Sequence, residues 1–199
     1  MRILFLYILF SASISIASSS KRVAATPTPA PADTTGAKIS FKCAICTPIE
    51  SKNIAIVQAA IPTIINLQCF YDRFVNPKYR SQVLETEGLT RPQVVEKIRT
   101  GIVQNIPIEF YFPSWRQSKK VIGYTTPAAP TIYLNRAFRQ DSAWGACAEI
   151  SNALHEVTHK QGFSHDFRAT AARPFTVPYT ANYAVDECCN DKDYPSYGK

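Results

Sequence analysis

The sequence predicts an α+β domain, a small mixed sheet packed on helices with one long helix near its C-terminal end. Three observations carry this expectation. Ile61, Ile64, Ile65 and Cys69 recur at helical spacing. Ile106, Ile108, Phe110 and Phe112 alternate with Pro107, Glu109 and Tyr111, the period of a strand. A long helix is expected from about Ala143 to Gln161, stopped by Gly162.

Taken in order, the first element is not part of the fold. Arg2, the apolar run Ile3 to Phe10 and the small residues Ser11 to Ser20 read as a secretory signal, with Ala17 and Ser19 as cleavage neighbours. A spanning helix needs roughly 20 mainly apolar residues, and the serines interrupt this run too early. No cysteine stands near the cleavage region, so a bacterial-type lipid anchor is not indicated. The expected location is secreted or periplasmic, with no stable membrane insertion after cleavage. Residues 21–38 are rich in Pro, Ala and Thr, centred on Thr26-Pro27-Thr28-Pro29-Ala30-Pro31. Proline removes donors and favours extended chain, so this is a linker. The folded domain is expected over 39–199.

Within it, Pro62 suits a first helical turn, which places a helix over Ile61–Phe74. Gln82–Thr86 reads as a short strand. Thr90 and Gln93 have the pattern of a capping box, Pro92 fits the first turn and Gly101 ends the run, giving a helix over Arg91–Thr100. Lys120–Thr125 and Thr131–Asn135 read as two further strands. Asp141 and Ser142 can cap the long helix. Beyond it, Pro174, Pro178 and Pro195 argue against long regular elements, so that helix should be the last and the longest.

Composition excludes several classes. With 199 residues and 46% hydrophobic content the chain can bury a core, which excludes wholesale disorder. Seven glycines without a three-residue period exclude a collagen-like chain, and no 20–50-residue repeat points to a solenoid. The formal charge of +7 suits anionic surroundings such as a cell envelope. No Lys/Arg block with interleaved aromatics supports a nucleic-acid partner.

The chain has six cysteines: Cys43, Cys46, Cys69, Cys147, Cys188 and Cys189. An even count in an exported chain indicates disulfides, and six allow 15 pairings. Cys43-Ala44-Ile45-Cys46 also has the form of a redox pair or half a zinc site, and a thiolate of either residue would be able to mask a metal.

All three histidines lie in one eleven-residue window, His155-Glu156-Val157-Thr158-His159-Lys160-Gln161-Gly162-Phe163-Ser164-His165. A bare H-E-x-x-H arises by chance in under about 1% of chains this long, and the glycine and third histidine lower that by roughly three orders of magnitude. Four residues of helix advance about 400°, so His155 and His159 lie ~40° apart on one face. Glu156 sits beside that face, and Gly162 allows the positive φ that turns His165 back towards it. Three neutral imidazoles suit Zn2+ and leave a fourth position for water, whose pKa falls to about 7. Asp166 is a candidate support for the site. Leu154, Val157, Ile150, Trp144 and Phe163 read as core.

The window matches every fixed position of H-E-x-x-H-x-x-G-x-x-H and so resembles the zinc signature of the metzincin metallopeptidases. The resemblance implies that His155, His159 and His165 bind zinc and that Glu156 is general base and proton shuttle. It also implies that Thr131–Asn135 stands where the family has its edge strand, which pairs with extended substrate. The family's methionine turn has no counterpart, since the only methionine is Met1. Thr176-Val177-Pro178-Tyr179 is the candidate replacement, with Tyr179 a candidate zinc ligand or oxyanion donor. The expected function is an exported zinc endopeptidase acting on a protein or peptide. The alternatives are an envelope-directed amide hydrolase acting on peptidoglycan cross-links and a non-catalytic module that keeps zinc.

Overall fold

The computed structural model describes residues 38–76, 86–114, 121–139 and 145–189. The signal segment, residues 21–37 of the linker, positions 82–85 of one expected strand, Lys120, the caps Asp141 and Ser142, Trp144 and Pro195 lie outside them.

The described elements are β1 (Ile39–Cys43), α1 (Pro48–Ile64), α2 (Gln68–Val75), α3 (Arg91–Thr100), β2 (Val103–Tyr111), β3 (Gly123–Tyr124), β4 (Ile132–Asn135), α4 (Arg136–Arg139), α5 (Ala146–Lys160) and α6 (Val177–Cys189), with a 3-10 turn at Arg173–Phe175. The sheet order is β1-β2-β4-β3. The first three strands are parallel and β3 is antiparallel to β4. The α+β class and the mixed sheet are therefore observed.

Local chemistry explains the elements that the sequence anticipates. The α3 boundaries agree with expectation: the Thr90 N–H donates to Gln93 Oε1 at 2.9 Å, and Gly101 follows the last turn. In β2 the alternation holds from Ile106 to Phe110, but Phe112, expected on the same face, lies beyond the strand and is exposed. Val103 and Ile106 both face inward despite their odd spacing, because the register shifts between Ile39 and Phe41 and Asn105 adopts φ 54°. Asn tolerates that conformation better than most residues. Its N–H is taken up by Ser40 Oγ at 2.8 Å.

Several expectations need correction. The helix expected over Ile61–Phe74 is two helices, with a break at 65–67. Pro62 lies near the end of α1, not at a beginning. The start of α1 carries a local signature, Pro48 in the first turn and a Thr47–Glu50 capping box. Of the described residues 121–125, only Gly123–Tyr124 pairs as a strand. Thr131–Asn135 does not supply an edge: β4 is interior, and β3 is the outer strand beside it. The proline-rich end does not exclude regular structure, because Pro178 occupies the first turn of the 13-residue α6, where its missing N–H has no helical partner to lose. Nor is α5 the longest helix, at 15 residues against 17 in α1.

Residues from Glu149 to His159 of α5 are all buried, polar ones included. The helix packs on α1, α6 and β3. Ile150, Leu154 and Val157 are in the core, as expected for their apolar side chains. Glu149 is paired to Arg139 at 2.7 Å, and Glu50 to Arg136 at 2.5 Å, so these two buried acids are neutralised from α4.

The cysteines pair as Cys43–Cys46, Cys69–Cys188 and Cys147–Cys189. The last two fasten α6 to α2 and to α5. With Cys43 and Cys46 bonded to each other, neither offers a thiolate to a metal. Among the described residues no single helix is long and apolar enough to cross a membrane.

Candidate metal centre

The site begins with how α5 ends. Gln161 caps the helix, Gly162 takes φ 95°, and its N–H donates to His159 O at 3.0 Å. Phe163 N–H returns to Thr158 O at 3.1 Å, and its ring is fully buried beneath Lys97 Nζ, 4.5 Å from the ring centroid. The buried ring anchors the turn, and two residues later His165 is back against the helix.

His155 Nε2 and His165 Nε2 then face each other at 3.1 Å. The ring of His159 lies 5.1 Å from that of His155 and 4.8 Å from that of His165. One nitrogen from each of the three lies within 4.8 Å of the others, a group that could hold a metal ion. Each ring is also held from behind. His159 Nδ1 meets Phe163 O at 2.8 Å and His165 Nδ1 meets Asp166 O at 3.0 Å. A carbonyl can only accept, so these Nδ1 atoms carry the proton and leave Nε2 with its lone pair. His155 has the same kind of partner in the backbone of Pro178. Asp166 thus supports the site through its carbonyl.

Electrostatics agree with a neutral donor set. Burial, followed by the charges of His159 and His165, pushes His155 well below its usual 6.5. Burial pushes His159 down to about 4, against the Phe163 hydrogen bond. His165 is lowered for the same first reason. Neutral imidazoles present lone pairs, which is what a cation requires.

Glu156 is 2% exposed, and its Oε2 has no hydrogen-bond partner. Burial pushes its carboxyl up to about 8, opposed by the Lys160 charge and a backbone hydrogen bond from Thr125. An orphaned carboxylate oxygen beside three convergent lone pairs is unfavourable without a cation. The residues present therefore fit a metal ion. Lys160 also fastens the facing wall: its Nζ donates to Thr126 O and Ala129 O.

The three histidines and Glu156 line a cavity of about 580 Å³. Its walls are β3 with the residues after it, α5, the 164–173 segment and the start of α6. Tyr179 enters from α6, its ring 4.8 Å from His155 and 5.0 Å from His165. The structure thus brings together all five residues singled out from the sequence: His155, Glu156, His159, His165 and Tyr179. It adds Thr125, Asn152 and Arg173, which also line the cavity. Asn152 precedes His155 by three residues on α5, and its Nδ2 is buried without a partner. The helical spacing from His155 could have marked Asn152; nothing local marks Arg173 or Thr125, which arrive from other elements.

Neither a family model, nor a curated protein, nor a solved structure matches this chain, and the site is characterised by its own geometry.

Proposed function

We propose that the chain is an exported zinc endopeptidase. The observation that carries the reading is the convergence of His155, His159 and His165 beside the orphaned Glu156 carboxylate, in a cavity large enough for a peptide segment. Two nitrogens on one tetrahedral zinc lie about 3.3 Å apart, and His155 and His165 present theirs at 3.1 Å. The signal-like N-terminus and three disulfides support export.

In this reading the three histidines hold the zinc. When bound, it supplies a Lewis acid that polarises a carbonyl and makes water more acidic. Glu156 takes a proton from the water that adds to the scissile carbonyl carbon, then delivers that proton to the amine nitrogen as the C–N bond breaks. The Thr125 backbone holds the carboxylate, and burial keeps bulk water from competing for it. The Tyr179 hydroxyl donates to the developing oxyanion.

The test separates metal binding from chemistry. His159→Ala removes one of three ligands and should lose zinc and cleavage together. Glu156→Gln keeps the shape but loses the base, worth ~10²–10⁴-fold, so it should keep about one zinc while cleavage of a mixed peptide library collapses. Full cleavage by Glu156→Gln would end the mechanism. A zinc-loaded wild type that cuts no peptide would end the peptidase reading.

A further inference from the structure

Among the described residues of the cavity lining, Arg173 is the one whose charge the mechanism leaves unused. It opens the 3-10 turn before α6. Its guanidinium lies over the Tyr179 ring, 5.2 Å from the centroid, and interacts with the Tyr179 hydroxyl. Nη1 donates to Phe167 O at 2.9 Å, while Nε is buried with no partner. All these partners are neutral. Among the described residues the ion pairs are Arg73–Glu187, Arg136–Glu50 and Arg139–Glu149, and none involves Arg173.

A lone cation here acts against the site's own metal affinity. Its charge disfavours a positive charge on each of His155, His159 and His165, and a cation held by them would be repelled in the same sense. Among the described lining residues, Glu156 and Arg173 are the only Asp, Glu, Lys or Arg; with Glu156 ionised beside a bound metal they would cancel and leave a divalent ion's charge uncompensated. A cavity with that surplus, lined by an arginine that no described carboxylate pairs, is complementary to an anion. The planar fork of arginine matches a carboxylate.

We propose that Arg173 is the specificity-determining residue of this cavity and takes a carboxylate carried by the peptide substrate next to the scissile bond. The inference rests on the peptidase reading above. The carboxylate has two sources, an Asp or Glu side chain or the free C-terminus of a short peptide.

The experiment uses fluorogenic peptides identical except at one position beside the scissile bond: Asp, Asn or Lys, each with a free or an amidated C-terminus. A charge-assisted hydrogen bond contributes about 10- to 100-fold in kcat/KM, so wild type should prefer the carboxylate form by that factor, mainly through KM. Loss of the preference on Asp→Asn assigns it to the side chain, and loss on amidation to the terminus. Arg173→Gln should erase the preference by slowing the carboxylate peptide more than the others by that same factor. Arg173→Lys should keep part of it, and Arg173→Glu should shift it towards the Lys peptide. A second readout needs no turnover: chelator-treated protein should bind the labelled carboxylate peptide in a salt-sensitive way, and Arg173→Gln should weaken that binding by a similar factor. Equal cleavage of all peptides by wild type, or equal slowing of all of them by Arg173→Gln, would overturn the role of Arg173. No cleavage of any peptide, with Arg173-dependent binding intact, would overturn the peptidase reading and leave the carboxylate site standing.

Discussion

Removing the disulfides one pair at a time should destabilise the protein in the order of the loops they close. The bridges span 3, 119 and 42 residues for Cys43–Cys46, Cys69–Cys188 and Cys147–Cys189. In the chain-entropy description these separations correspond to about 1.6, about 4.9 and about 4 kcal/mol at 25 °C. The two long bridges end on neighbouring residues of α6. With Cys147–Cys189 intact, the loop opened by losing Cys69–Cys188 is therefore nearer to roughly 80 residues, still about 4.5 kcal/mol. Packing acts in the same direction, because Cys188 is fully buried whereas Cys43 and Cys46 are half-buried. Small domains have only about 5–15 kcal/mol in total, so the Cys69→Ala/Cys188→Ala protein should be close to unfolding at 25 °C. Cys43→Ala/Cys46→Ala should lose little. Urea denaturation at pH 7, followed by circular dichroism for wild type and the three double variants, measures the series. There is a consequence for the site as well. Helix α6 carries Tyr179 and the Pro178 backbone that meets His155, so zinc affinity should fall in the Cys69/Cys188 variant and stay unchanged in the Cys43/Cys46 variant. An equal stability loss for the short and the longest bridge would refute the argument.

Other consequences are as direct. Burial raises the Glu50 carboxyl, but the Arg136 and Thr47 hydrogen bonds outweigh it and hold the group below 4.5. Its contribution is thus present above pH 4.5 and lost as the pH falls through the lower folded value. Glu50→Gln should cost ~1 kcal/mol at pH 7 for this partly exposed pair, and the gap to wild type should close as the pH falls below 4.5 in denaturation curves; a gap independent of pH would contradict the pairing. Gly162→Ala meets no crowding, since the nearest atom to a new Cβ is Lys97 Nζ at 3.7 Å, yet φ 95° strains any side chain. A loss of about 1–2 kcal/mol, with weaker zinc binding as His165 shifts, is expected in thermal melts and metal titration. Tyr179→Phe keeps the ring against His155 and His165 and removes only the hydroxyl, so zinc content should hold while kcat falls by about 10²-fold. An unchanged kcat would remove Tyr179 from the chemistry.

What the sequence by itself determined is the part governed by neighbours in the chain. Thr90, Pro92 and Gly101 bound α3 because caps, first-turn proline and terminal glycine act within a few residues. The 4-residue step from His155 to His159 and the glycine before His165 bring the histidines together for the same reason: helix geometry and one positive φ are local. Even Thr47 and Glu50 carried a local signature of α1. Tertiary structure alone decided the rest. Which cysteine meets which depends on where α6 lies, and strand order depends on hydrogen bonds between segments distant in the chain, so β3, not β4, became the outer strand. Pro178 looked like a breaker until its position in the first turn of α6 was known. Thr125 behind Glu156 and Arg173 beside Tyr179 arrive from separate elements. Their places in the cavity come from distance and burial. Those quantities exist only after the chain has packed, and no spacing along the sequence encodes them.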